Sequence, residues 1–211
     1  MIKENGQDDI MTYDKDIREP LFDFLEERFG KIRIIEEKMM GRSRADVVMV
    51  TEQALYGIEI KSDADTYARL DRQTKDYDRY YDYNFVVAGT SHAMHIEKHV
   101  PEYWGIITVE NVGGVFDFYM LRNPKPNPKV SWSKKLEILW RPELSTLLEW
   151  NKMPRYQGKS KAFVIEKIAK GVPERIPPEL LAGQVGRLLF ERDYNTIAER
   201  IEEYRRGKRR G

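Results

Sequence analysis

The chain has 211 residues, 41% hydrophobic and 34% charged, with a formal net charge of +1 and no cysteine. That length suffices for one sizeable core, alone or with an appendage. The missing cysteines exclude disulfides, thiol nucleophiles and thiolate zinc sites, so any metal must be held by oxygen or imidazole.

No apolar run approaches the ~20 residues that a membrane span needs, and the opening MIKENGQDDI is too polar for a secretory signal. The expectation is a soluble cytoplasmic protein without a membrane partner. The small net charge hides an asymmetry: through residue 122 there are 16 Lys and Arg against 24 Asp and Glu, and beyond it 20 against 11. Two readings follow. Either a basic C-terminal region faces a polyanion while the acidic half houses metal-binding carboxylates, or these are solvated helical faces plus the terminal run RRGKRRG.

In chain order, Ile17, Leu21, Phe24, Leu25 and Phe29 recur at helical spacing and Gly30 ends the run. KIRIIEEKMM reads as a strand. The runs RADVVMV and LYGIEIK, joined by Thr51 to Ala54, form a hairpin with Val50 opposite Leu55. That register sets Asp46 directly across from Glu59, with Cβ atoms ~5 Å apart, and opposed like charges destabilise a sheet unless something compensates. A divalent cation is the simplest compensation. Strand alternation places Lys61 on the face of Glu59, with Val47, Met49, Ile58 and Ile60 on the other. The alternative is an ordinary ionic cluster, Lys61 neutralising one acid and Arg44 the other.

After Lys61, SDAD supplies capping residues for a helix over roughly Thr66 to Tyr81. Its apolar stripe takes in Leu70, Tyr77 and Tyr81, with Gln73 inside it and Arg69 on the same edge. A buried amide needs partners: Gln73 is either satisfied locally or set beside the carboxylates, where it would orient a water or phosphate. Tyr77, Tyr80, Tyr81 and Tyr83 read as packing. The strand FVVAG, a helix from Ser91 to about Tyr103, and strands GIITVE and VFDFYMLR complete an α/β order in which later strands join by crossovers. His92, His95 and His99 share one face of that helix, but three ligands from one helix rarely converge on zinc, so a solvated face is expected.

The prolines of NPKPNPKV cannot sit inside a helix or central strand. They divide the chain into a core, 1–122, a linker, 123–130, and a helical basic region, 131–211. There Trp132, Trp140 and Trp150 are expected to anchor the helical core. Lys152, Arg155, Lys159 and Lys161 offer phosphate contacts, with Tyr156 available to stack on a base.

The order Asp46, twelve residues, Glu59-Ile60-Lys61, then a helix bearing Gln73, with an amphipathic helix upstream, resembles the PD-(D/E)XK nuclease superfamily. SRADVV and GIEIKSDADTYARLDRQTKDY look especially like small bacterial and phage-borne members. The likeness covers about Ile17 to Gly89, and Ala45 stands where the motif has proline. It implies a restriction-endonuclease-like α/β fold: a mixed β-sheet core flanked by helices, with a C-terminal helical subdomain. It also implies a nuclease acting on DNA, with Mg²⁺ or Mn²⁺ held by Asp46, Glu59 and the backbone carbonyl of Ile60. Lys61 would orient the water or stabilise developing charge, with Gln73 assisting and Arg44 and Arg69 near the nucleic acid. Some members add an acid upstream, for which Glu26, Glu36 and Glu37 are candidates and Glu37 is preferred. A homodimer would suit double-strand cutting. Other readings are an idle nucleic-acid-binding adaptor of the same fold and a protein-interaction module.

Overall fold

The computed structural model describes residues 14–61, 67–89 and 95–193. Helix α1 (Asp14–Phe29) leads into three strands, β1 (Arg33–Met40), β2 (Ser43–Val50) and β3 (Leu55–Lys61). A 3-10 turn at Tyr67–Arg69 opens α2 (Leu70–Tyr80), which crosses to β4 (Tyr83–Gly89); β5 (Gly105–Val112) and β6 (Val115–Arg122) follow. The C-terminal part adds α3 (Trp132–Leu136), α4 (Arg141–Trp150), α5 (Lys161–Ala169) and α6 (Pro178–Phe190). The protein is thus α/β, a six-stranded mixed sheet in the order β1-β2-β3-β4-β5-β6 with helices on both faces.

Strands β1, β2 and β3 pair antiparallel, β3 and β4 parallel, β4 and β5 parallel, and β5 and β6 antiparallel. The parallel steps demand crossovers, and α2 supplies the first. The hairpin turn is built by Thr51, whose hydroxyl accepts from the Gln53 and Ala54 amides while its amide donates to the Ala54 carbonyl. This fixes Val50 opposite Leu55 and Val47 opposite Ile58, as the alternation requires.

Period-2 alternation sorts the central strands into two cores. Val47, Met49, Ile58, Ile60, Phe85, Val87, Ile107 and Val109 meet Ile17, Leu21 and Leu25 of α1. On the other face, Val48, Val50, Leu55 and Val86 share one cluster with Tyr77 and Tyr81 of α2 and with Leu136, Leu144, Leu147, Ile168, Leu181 and Val185 of the C-terminal helices. The segment between β6 and α3 is pinned rather than slack. Asn127 is buried, its amide group donating to the Asp78 and Tyr81 carbonyls.

Two expectations are corrected. The helix expected to reach Tyr103 gives way to turns after Ile96, since a residue preceding proline avoids helical conformation and Pro101 lies in its path. Its beginning, with His92, lies outside the described residues, as does SDAD; His95 is exposed. The fully buried tryptophan is Trp104; Trp132 is half-buried and packs against the C-terminal core as expected, whereas Trp140 is half-buried outside that cluster and Trp150 is exposed. Each of those three carries a cation over its ring, Lys135, Arg192 and Arg187 respectively.

Candidate functional site

The site forms where β2, β3 and α2 meet. Glu59 and Lys61 are two residues apart on β3, so both side chains point to the α2 side, while Ile58 and Ile60 enter the α1 core. Glu59 is 1% exposed and Lys61 6%. A buried charge must be paired and hydrogen-bonded, and Lys61 Nζ donates to Glu59 Oε1 at 2.6 Å.

Helix α2 completes the coordination of both groups. Its stripe turns Gln73 and Tyr77, one turn apart, toward the sheet. The Gln73 amide nitrogen donates to Glu59 Oε1 and its oxygen accepts from Lys61 Nζ at 3.1 Å. The Tyr77 hydroxyl lies 2.8 Å from Glu59 Oε2 and 3.0 Å from the Ile58 carbonyl, and it accepts from the Asp46 amide at 3.2 Å. Burial, and after it the charges of Glu59 and Asp46, pushes the Tyr77 phenol well above its ordinary range, so it stays a neutral hydroxyl.

Asp46 joins from the neighbouring strand. Its Oδ2 accepts from the Ile60 amide at 2.9 Å, so the carboxylate is latched to the strand that carries Glu59. Asp46, Glu59, Lys61 and Gln73 therefore come together, tied through Ile60 and Tyr77. Tyr77, which the helical stripe marks as packing, thus also bonds the site. Its position four residues after Gln73 was the available signal, since that spacing shares a helix face.

Of the upstream acids, Glu36 and Glu37 are paired with arginines. Glu37 takes a left-handed backbone conformation, φ 52°, between the pairs Glu36–Val47 and Lys38–Ala45, and hence at the level of Asp46. Its carboxylate pairs with Arg44 at 2.9 Å and Arg18 at 3.5 Å. Glu36 pairs with Arg18 at 2.9 Å, and Glu26 lies on α1. Among the described residues, no group of three or more acidic or imidazole side chains stands ready to hold a metal. What converges is two carboxylates from adjacent strands with the Ile60 backbone between them. The two carboxylates are hard oxygen donors, and with so few protein ligands they suit a cation that keeps several of its waters, as Mg²⁺ does.

The expected nucleic-acid residues are spread over the molecule. Arg69 is exposed at the start of α2 and Arg44 is exposed on β2. Lys152, Arg155 and Lys159 are exposed in the loop between α4 and α5. The other two are engaged with neighbouring helices: Tyr156 packs edge-on against Phe163 of α5, and Lys161, the first residue of α5, donates through Nζ to the carbonyl of Glu137 just after α3 at 2.8 Å.

Fold and site together define a mixed α/β protein with a buried carboxylate–ammonium–amide cluster at its β-hairpin and first crossover. Among known proteins, the model of the family described as Bacteriophage P4 protein cII matches residues 8–199, and the chain belongs to that family. No curated protein and no solved structure matches it.

Proposed function

We propose that this protein is a metal-dependent nuclease that hydrolyses phosphodiester bonds in DNA and acts in the cytoplasm. One observation carries the reading: Glu59 is held at once by Lys61, Gln73 and Tyr77, while Asp46 is latched beside it through Ile60. An ionic cluster of surface type would not be 1% exposed. The resemblance of Asp46, Glu59-Ile60-Lys61 and Gln73 to the PD-(D/E)XK pattern supports the same chemistry. No helix among the described residues is long and apolar enough to cross a membrane.

Asp46 and Glu59, with the Ile60 carbonyl, would hold Mg²⁺ or Mn²⁺. When bound there, the ion supplies a water of lowered pKa and polarises the scissile phosphate. Lys61 would set its Nζ beside the reacting phosphate, where it stabilises developing negative charge or orients the attacking water. Gln73 restrains Lys61 and Glu59 together, so the ammonium is placed before substrate arrives. Arg44 and Arg69 contribute contacts to the phosphate backbone.

A second reading, a nucleic-acid-binding protein with an idle site, is favoured by a different observation: among the described residues no third acidic or imidazole side chain joins Asp46 and Glu59. A cleavage assay with Mg²⁺ separates the two. The nuclease reading expects wild type to cut DNA and Lys61→Ala to bind without cutting. Equal cutting by both contradicts the mechanism, binding without cutting by wild type supports the adaptor, and failure to retain nucleic acid even at low salt supports a protein-interaction role.

A further inference from the structure

The β2–β3 ladder stops just short of the two acids. Its last pair is Val47–Ile58, and the next step of the same register would set Asp46 against Glu59. At that step a side chain from α2 stands between the strands: the Asp46 amide donates to the Tyr77 hydroxyl, which in turn lies within hydrogen-bond distance of the Ile58 carbonyl and of Glu59 Oε2. A phenol has one proton to give and lone pairs to accept with. It can therefore accept from Asp46 and donate to one of the two oxygens of β3, which makes it a bridge where two strands would otherwise bond directly.

The bridge is held rigidly. The Tyr77 ring is fully buried between Tyr81 and Trp104, with centroids 5.5 and 5.4 Å away. Gly57 of β3 leaves the space that the two tyrosine rings fill, since a Cβ there would overlap both. The hydroxyl is thus positioned by packing on the sheet, independently of the groups it bonds. Resting on the metal-site reading above, we infer that Tyr77 is a positioning residue whose hydroxyl wedges β2 from β3 and sets the separation and orientation of Asp46 and Glu59 that a divalent cation requires.

Tyr81 provides an internal control. It lies one turn further along, its ring is equally buried, and its hydroxyl has no hydrogen-bond partner among the described residues. The experiment is calorimetric titration of Mn²⁺ into the full-length protein and its Tyr77→Phe and Tyr81→Phe variants, with the fold of each checked by near-ultraviolet circular dichroism. Groups that orient metal ligands are worth roughly 10–100-fold in affinity. Tyr77→Phe is therefore expected to weaken Mn²⁺ binding by about tenfold or more, and Tyr81→Phe to leave it unchanged. Equal binding by Tyr77→Phe and wild type overturns the inference and leaves the metal site standing, as does an equal loss in both variants. Absence of Mn²⁺ binding by wild type overturns the metal site itself and the inference with it. Should Tyr77→Phe fail to fold, 3-fluorotyrosine placed at position 77 alone keeps the hydroxyl. Its fluorine resonance is expected to move on addition of Mg²⁺, and a resonance that stays put overturns the inference.

Discussion

Glu59 and Lys61 form a pair that neither partner can leave cheaply. With both almost wholly out of water, removing one strands a charge, at a cost of about 3–5 kcal/mol for a buried pair. Lys61→Ala is accordingly expected to lower the unfolding free energy by about that amount in metal-free buffer, read from urea denaturation, while remaining folded. A loss below about 1 kcal/mol, the range of surface pairs, would mean that water reaches Glu59. Asp46, Glu59 and Lys61 were legible in the sequence because a strand's period of two assigns faces without further information. Gln73 was half legible, since its place in the stripe demanded partners but did not name them. The role of Tyr77 was hidden, because an aromatic in a helical stripe reads as core, and how far its hydroxyl reaches depends on the spacing of helix and sheet.

At the scale of elements, that spacing is set by glycines as much as by apolar side chains. Gly57 lets α2 lie close enough for Tyr77 to reach between the strands, and Gly186 lets α6 lie on the β2–β3 turn, where a Cβ would stand 2.8 Å from the Thr51 carbonyl and 2.9 Å from that of Glu52. Gly57→Ala is expected to overpack the contact, cost about 1–3 kcal/mol in chemical denaturation, and raise amide exchange at Asp46 as the Tyr77 hydroxyl withdraws. Unchanged exchange at Asp46 would show that the rings adjust without moving the hydroxyl. All six strands could be placed from apolar runs and turn residues. The turn segment ending at Trp104 could not, because its histidines and apolar residues keep helical spacing while Pro101 overrides it. Nor could the burial of Trp104, which is fixed by a bond from its indole nitrogen to buried Asp78 at 2.9 Å, a contact between distant parts of the chain.

Across the whole molecule, the C-terminal helices are joined to the sheet by charge as well as by a shared core. Buried Lys135 of α3 donates to both oxygens of Asp82, 2.6 Å each, and that carboxylate also accepts from the Leu55 amide at the start of β3. Arg192 grips Glu143 through two bonds of 2.6 Å. Composition revealed the basic character of this half, but not which cations such pairs consume. Lys135, Lys161 and Arg192 are engaged internally, whereas Lys152, Arg155 and Lys159 have their side chains exposed. Replacing these last three with alanine is expected to weaken DNA binding whatever the sequence, and to reduce the slope of log affinity against log salt by up to about 2–3, at roughly 0.9 per phosphate contact. An unchanged slope would mean that these three side chains make no phosphate contacts.

The proposed nuclease chemistry requires Asp46 and Glu59 to bind a divalent cation jointly. Anomalous diffraction from crystals soaked in Mn²⁺ measures this most directly. A single strong peak is expected between the two carboxylates, within coordination distance of the Ile60 carbonyl. A saturating soak that leaves this position without anomalous density would contradict it.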